Sequence, residues 1–379
     1  MTQATSPLRS LAGYDSRSLT VCCIGSHSAL DVCLGAKREG FRTLVVAARG
    51  RERTYEDYYR RRADGTGCVD ETLAVDHFAD VLREDVQRLL LERDSVFVPN
   101  RSYEVYARQR HSHDAMERDM RVPMFGSRTL LRAEDRDEPD NQYALLEAAG
   151  IRHPIRVNTP DDIAGLTLVK VPHANVSFER AFFLTTSSTH CRERAGELLA
   201  RGVVSPDGLA TAVFEEYVLG PTINLNFFWS PILGELELLG TDTRRQTNLE
   251  GALSLLASDQ QALGSDFVPS LEEAGHIAAT LTESMLEQAF DLGRRFCSAA
   301  AAARPPGMIG PFALQCVIAP GPPKSFVVYD VSLRIPGSPG TKYTPYSAYR
   351  WGREMSVGER IAKELSLARD AGRLADVCT

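Results

Sequence analysis

The chain has 379 residues, of which 43% are hydrophobic and 25% charged, with a formal net charge of −7. That length allows two or three domains, or one large domain with a lid. The acidic balance excludes non-specific nucleic-acid binding, which needs a basic face, and the longest apolar runs fall far short of the roughly 20 residues of a membrane helix.

Residues 1–17 are polar and read as a flexible N-terminus. "LTVCCI" at 19–24 is expected as a buried strand. "GSHSALDVCLGAKREGF" follows as a turn and a helix with Leu30, Val32, Cys33 and Ala36 on its apolar side, and "RTLVVAARG" at 42–50 is a second strand. This spacing predicts a right-handed parallel βαβ unit. An amphipathic helix is expected over 78–93, and "SVFVPN" at 95–100 as a third strand, so 18–130 reads as an open α/β sheet. The eight cysteines form no Cys-x-x-Cys pair, and Cys22, Cys23, Cys33 and Cys316 sit in apolar stretches. They read as buried free thiols of a cytoplasmic protein.

"RAEDRDEPDN" at 132–141 reads as a linker, and a helix over 142–149 ends at Gly150. "TLVKVPHANVSFERAFFLTT" at 167–186 is two apolar runs around a polar turn, a hairpin that offers Lys170 to an anionic ligand. Hairpins that close over phosphates carry glycines so that backbone N–H groups can approach; this turn has none. A helix around 190–201 precedes "AVFEEYVLG" and "TINLNFFWSPILGELELLGTDTRR", which alternate as antiparallel strands. A long helix is expected over 278–301, then strands "IGPFALQCVI" and "SFVVYDVSLRI", and a last helix over 356–371.

Several stretches carry candidate chemistry. Ser26, His27 and Ser28 fall between a strand end and a helix start, the edge where parallel sheets bind ligands, although Ser26 or Ser28 could equally be an N-cap. "EEYVLG" at 215–220 reads either as an adenine-facing connection or as a solvated strand end. If their strands are neighbours, Gln315 and Asp330 could share a hard cation; otherwise each is a surface polar group. Arg334 beyond them could face an anion. No Gly-x-Ser-x-Gly elbow, Walker-type loop or dinucleotide fingerprint occurs.

Taken together, "GSHSALDVCLGAKREGF", "VFVPNRSY", "VPMFGSRTLLR", "LVKVP", "FEEYVLG", "LELLGTDTR", "PPGMIGPFALQ" and "MSVGERIAKE" resemble one family. It is the archaeal-type ATP-grasp ligase that makes 5-formaminoimidazole-4-carboxamide ribotide from formate, ATP and the aminoimidazole carboxamide ribotide (AICAR). The resemblance spans about residues 19–371. It implies a Rossmann-like N-terminal domain over 18–130 and an ATP-grasp unit over 131–379 with a lid at about 150–218. By position, His27 and Ser102 match contacts to the ribotide, Lys170 the lid lysine, and Glu215, Glu216, Tyr217 and Val218 the adenine-binding stretch. Gln315 and Asp330 match the metal ligands, for Mg2+ or Mn2+; the family has a glutamate at the second position.

The departures cluster at the nucleotide and acyl-donor end. The glycine-rich lid turn is replaced by "PHANVSFERA", a glutamate by Gln246, and an asparagine near the substrate by His276. Tyr143 or Ala144 stands where the family offers a lysine, and "IPGSPGTKY" follows Arg334 in place of Val-Asp-Gly-Gly-Thr-Asn. These departures imply a diverged paralogue. The leading expectation is an ATP-dependent carbon–nitrogen ligase that joins a small carboxylate to the amine of a ribotide or nucleoside-like heterocycle through an acyl phosphate. Lys170 and Arg334 would act on the phosphoryl and acyl groups. The alternative is a protein that keeps the ribotide pocket without ATP-dependent ligation. The expected partners are small-molecule amine and carboxylate substrates, with no nucleic acid and no membrane, in a cytoplasmic homo-oligomer.

Overall fold

The computed structural model describes residues 11, 13–172, 180–247, 249–263 and 271–379. The polar turn with His173, Asn175 and Phe178 lies outside the described residues, as do the side chains of Arg180 and Gln246.

The first layer is a four-stranded parallel sheet in the order β3-β2-β1-β4, built from β1 (Thr20–Ile24), β2 (Arg42–Ala48), β3 (Glu71–Val75) and β4 (Ser95–Phe97). Helix α1 (Ala29–Arg38) makes the crossover from β1 to β2. Central strands β1 and β2 are almost wholly buried, which accounts for their unbroken apolar runs. Edge strand β3 is only half-buried, and "ETLAV" carries too little apolar signal to stand out in the sequence. β2 lies on one side of β1 and β4 on the other. The crevice between the ends of β1 and β4 is therefore the switch point of the sheet.

The expected helix over 78–93 is two elements. Phe78–Leu82 forms a 3-10 turn capped by His77 and Asp80, Arg83 is extended, and α2 runs from Glu84 to Leu91. The extended Arg83 separates the two elements, and Phe78, Ala79, Val81 and Leu82 are buried from the turn while Val86 and Leu90 are buried from α2.

The second half begins with α3 (Gln142–Ala148) and β5 (Arg156–Val157). The hairpin is present as β6 (Thr167–Pro172) paired antiparallel with β7 (Arg180–Thr185). With β8 (Val213–Glu216) these make a four-stranded sheet, β5-β8-β6-β7, and α4 (Ser188–Ala200) packs on β7. A five-stranded antiparallel sheet, β11-β10-β9-β12-β13, follows. Its members are β9 (Thr222–Ser230), β10 (Glu235–Thr247), β11 (Leu271–Ala278), β12 (Gly310–Ala319) and β13 (Ser325–Ser332). The long helix starts later than the sequence pattern suggests, as α5 (Leu286–Ala303): the Ala279 N–H is taken by the Thr241 carbonyl at the end of β11 and the Leu281 N–H by the Tyr346 hydroxyl, and Glu283–Met285 is a 3-10 turn leading into the helix.

Alternation sets what each face of this sheet does. Ile223, Leu225 and Phe227 of β9 join Phe312, Leu314 and Cys316 of β12 in one core with Ala289, Leu292 and Phe296 of α5. The Phe312 ring stacks between Phe227 at 5.3 Å and Phe296 at 5.6 Å. The intervening residues, Asn224, Asn226 and Gln315, are buried polar groups on the opposite face.

The last helix, α6 (Val357–Asp370), ties the two halves together. A Cβ on Gly35 of α1 would lie 2.3 Å from the carbonyl oxygen of Gly358, and one on Gly358 would lie 2.3 Å from that of Asp31. The helices thus meet backbone to backbone. Gly35→Ala is expected to destabilise the fold by about 1–3 kcal/mol through overpacking, read as a lowered urea midpoint. A midpoint at or above that of wild type would show that the two helices can part without cost.

All eight cysteines are buried and free. No helix among the described residues is long and apolar enough to cross a membrane.

Candidate active site

Four of the sequence-derived residues, Lys170, Glu215, Gln315 and Asp330, meet where the hairpin sheet approaches the edge of the five-stranded sheet. Lys170 on β6 donates to Oε2 of buried Glu215 on β8. The Tyr143 hydroxyl, from α3, lies 3.2 Å from Glu215 Oε1 and 3.3 Å from the Tyr329 carbonyl. The Arg136 guanidinium sits 5.4 Å from the Tyr143 ring centre and 3.5 Å from Asp330 Oδ1. Gln315 Nε2 donates to Asp330 Oδ2 at 2.9 Å, because Gln315 and Asp330 are direct cross-strand partners on β12 and β13. Two cations and two carboxylates alternate here. Burial and the nearby Arg136 lower the Lys170 pKa, and Glu215 only partly restores it.

The amide and carboxylate oxygens of Gln315 and Asp330 suit a hard divalent cation that takes its remaining ligands from phosphate and water. No cluster of three or more His, Cys, Asp and Glu suited to a metal occurs among the described residues, so such an ion would lean on its substrate for ligands. Glu216 turns away from Lys170, toward Arg152 at 3.5 Å and the Ile155 N–H at 3.2 Å. Tyr217 is exposed and its N–H donates to the Leu166 carbonyl at 2.9 Å, while Val218 is half-buried. Gln246 contributes its backbone to the end of β10.

Arg334 lies just beyond β13 and is 5% exposed. Its Nη2 pairs with Glu134 Oε2 at 3.1 Å, and Glu134 also accepts from the Leu333 N–H at 2.6 Å. The Arg334 Nε is buried with no hydrogen-bond partner among the described residues, so the guanidinium retains donor capacity for an anion. Burial, and the charge of Glu134 after it, raise the carboxyl pKa of nearby Glu104.

The chain after Arg334 runs directly to a second group of candidates, at the β1/β4 switch point. Ser102 Oγ donates to Ser26 Oγ at 2.7 Å. Ser28 occupies the N-cap position of α1 at φ 70° but caps nothing; its hydroxyl donates to the Pro336 carbonyl at 3.1 Å. The N-cap alternative for Ser28 is thereby set aside. The His27 ring covers Gly337 so closely that a Cβ there would lie 1.7 Å from Nε2. His276, on β11, lies opposite, with 6.5 Å between the two ring centres, and its Nδ1 hydrogen-bonds Asp242 Oδ2. His27, Ser102 and His276 thus form one end of the site and Lys170, Glu215, Gln315 and Asp330 the other, with Arg334 and residues 335–337 between them.

Gly337→Ala must displace the His27 ring. It is expected to weaken the binding of a ligand held at the His27 end at least about tenfold with binding at the Lys170 end unchanged, since small misplacements within a site are costly. Equal changes in both binding constants would mean that the loop does not act through His27.

Residues 21–157 match the family model described as "Protein of unknown function (DUF1246)", and 190–379 match "Domain of unknown function (DUF1297)". The "5-formaminoimidazole-4-carboxamide-1-(beta)-D-ribofuranosyl 5'-monophosphate synthetase" of Methanothermobacter thermautotrophicus is 36% identical over 371 residues, 97% of each chain. The protein of the same name from Methanopyrus kandleri is 36% identical over 98% of each. The chain belongs to this synthetase family.

The crystal structure of an IMP biosynthesis protein PurP from Thermococcus kodakaraensis, 29% identical, matches with a TM-score of 0.68 over 95% of this chain and all of that one. N5-carboxyaminoimidazole ribonucleotide synthetase, at 11% identity and a TM-score of 0.57, shares the fold over 97% of this chain and 79% of its own. The fold is accordingly Rossmann-like followed by ATP-grasp, and the family is one of ATP-dependent carbon–nitrogen ligases.

Arg136, Glu134 and the group Asp242, Asn224 and Asn226, which the sequence did not single out, lie beside these candidates, and Tyr143, marked in the sequence only as a departure from the family's lysine, joins them. The asparagines carried a legible signal, two polar residues at period two inside the apolar run "TINLNFF". Arg136 and Glu134 carried none, since both lie in or beside a charged linker.

Proposed function

We propose that the chain uses ATP to join a small carboxylate, formate in the first instance, to the amine of AICAR or a closely related ribotide. The observation that carries this reading is the nucleotide-side cluster, in which Lys170 and Arg136 face the register-paired oxygen donors Gln315 and Asp330. Gln315 and Asp330 would hold Mg2+, which supplies charge neutralisation to the phosphates when bound. Lys170 stabilises the transferring phosphoryl oxygens. The carboxylate oxygen attacks the γ-phosphorus and ADP leaves, giving an acyl phosphate held by Arg334. His27 and Ser102 hold the ribotide so that its amine reaches the acyl carbon, and phosphate leaves as the new C–N bond forms. Such a reaction needs alignment and charge more than a protein nucleophile.

The test is ADP release with formate and AICAR present together. Turnover that needs both substrates supports the ligase. No ADP in any carboxylate–amine pairing, with no Mg·ATP binding at millimolar concentration by calorimetry, would favour the ribotide-binding alternative.

A further inference from the structure

Asp242 and His276 stand apart from the nucleotide cluster and have no part in the scheme above beyond proximity to His27. Asp242 is completely buried in the five-stranded sheet, where a lone carboxylate is costly. It is held by three side chains. Asn226 Nδ2 donates to Oδ1 at 2.6 Å, Asn224 Nδ2 donates to Oδ2 at 2.9 Å, and His276 meets Oδ2 through Nδ1. Burial alone would raise the carboxyl pKa, but these hydrogen bonds together outweigh it and leave the pKa below the ordinary value. An ionised carboxylate at Nδ1 fixes the tautomer with the hydrogen on that nitrogen, so Nε2 is the basic atom of the ring.

Among the described residues, other elements contribute few charges at this point. Arg244 is the cross-strand partner of His276, and Tyr329 of β13 interacts with both Arg244 and Asp242. The 3-10 turn Pro339–Tyr343 packs on β11, and its Lys342 is engaged with Glu359 at 3.5 Å. His27 faces the His276 ring from the N-terminal half, with 6.5 Å between the ring centres.

We propose that His276 is the catalytic base that takes the proton from the attacking amine, with Asp242 as its positioning residue, an assignment that rests on the ligase reading above. The neutral amine nitrogen attacks the acyl carbon of the acyl phosphate. The C–N bond forms, the C–O bond to phosphorus breaks, and phosphate leaves with that electron pair. The N–H proton passes to His276 Nε2, and the resulting imidazolium is balanced by the Asp242 carboxylate. The ring then returns its proton to water.

Asparagine at 276 keeps hydrogen-bonding capacity and removes basicity. His276→Asn is therefore expected to lower amide formation from formate and AICAR by about 100-fold, the lower end of what a positioned base supplies. ATP-dependent formate activation, trapped as hydroxamate with hydroxylamine, should stay within about threefold of wild type, and imidazole added to His276→Ala should restore part of the lost rate. The acid limb of kcat/KM should move to lower pH in Asp242→Asn, because the imidazolium loses its anionic partner. Equal loss of hydroxamate and amide formation would make His276 a structural residue and overturn the assignment, as would a His276→Asn variant with near wild-type turnover. A second measurement needs no ligase activity: AICAR added without ATP should shift the NMR titration of the His276 ring. An unmoved titration with AICAR bound would place the ring away from the amine and sink the proposal. Wild-type protein that shows this shift yet releases no ADP would fail the ligase reading instead.

Discussion

Lys170→Met lowers ATP-dependent turnover by about 100- to 1000-fold, the range seen when one preorganised charge donor is removed from a transferring group. Lys170 is the only lysine in the nucleotide-side cluster among the described residues, and its ammonium already sits against Glu215 in a desolvated setting. A charge held there costs no reorganisation when negative charge develops on phosphoryl oxygens. The substitution also strands the Glu215 carboxylate with the Tyr143 hydroxyl. Lys170→Met with Glu215→Gln removes that second effect and should fold like wild type while staying inactive. ADP release with formate and AICAR is the readout. Turnover within tenfold of wild type in either variant would remove Lys170 from phosphoryl transfer.

Arg360→Met is expected to destabilise the protein by about 3–5 kcal/mol, more than any site substitution, because it breaks a buried ion network from one side. Arg360 is wholly buried, with Nη2 2.7 Å from Glu237 Oε1 and Nη1 2.9 Å from Glu364 Oε2. Its guanidinium lies between the Phe228 ring at 4.2 Å and the Trp351 ring at 4.9 Å. Glu364 also accepts from Ser230 at 2.7 Å, so α6 is fixed to β9 and β10 through charge as well as packing. Removing the cation leaves two buried carboxylates. The triple variant Arg360→Met, Glu237→Gln, Glu364→Leu should recover most of the loss, since burying no charge costs less than burying unpaired ones. Urea unfolding checks both variants; a single variant within 1 kcal/mol of wild type would show that water reaches the network.

The hairpin at 167–186 illustrates how far local reading goes. Its two strands and the inward lysine follow from period-two alternation, and β6 and β7 pair in register from Thr167↔Thr185 to Pro172↔Arg180. The partner of Lys170 does not follow, because Glu215 arrives 45 residues later on β8. The same holds for Gln315 and Asp330. Each was legible as a polar residue on an apolar strand, but their meeting depended on a β12–β13 register interrupted by a bulge beside Gln315.

By itself, the sequence determined what repeats over a few residues: the buried parallel strands, the α1 crossover, the alternating faces of β9 and β12, and the family. It misjudged 78–93 and the start of α5, where an extended Arg83 and hydrogen bonds to Thr241 and Tyr346 interrupted helical periodicity. Only the tertiary structure decided that Asp242 would meet His276, that a linker arginine would stand beside Asp330, and that His27 would rest on Gly337. The reason is physical. Side-chain periodicity is written within one element, whereas strand order and register are settled by burying whole faces at once, between residues far apart in the chain.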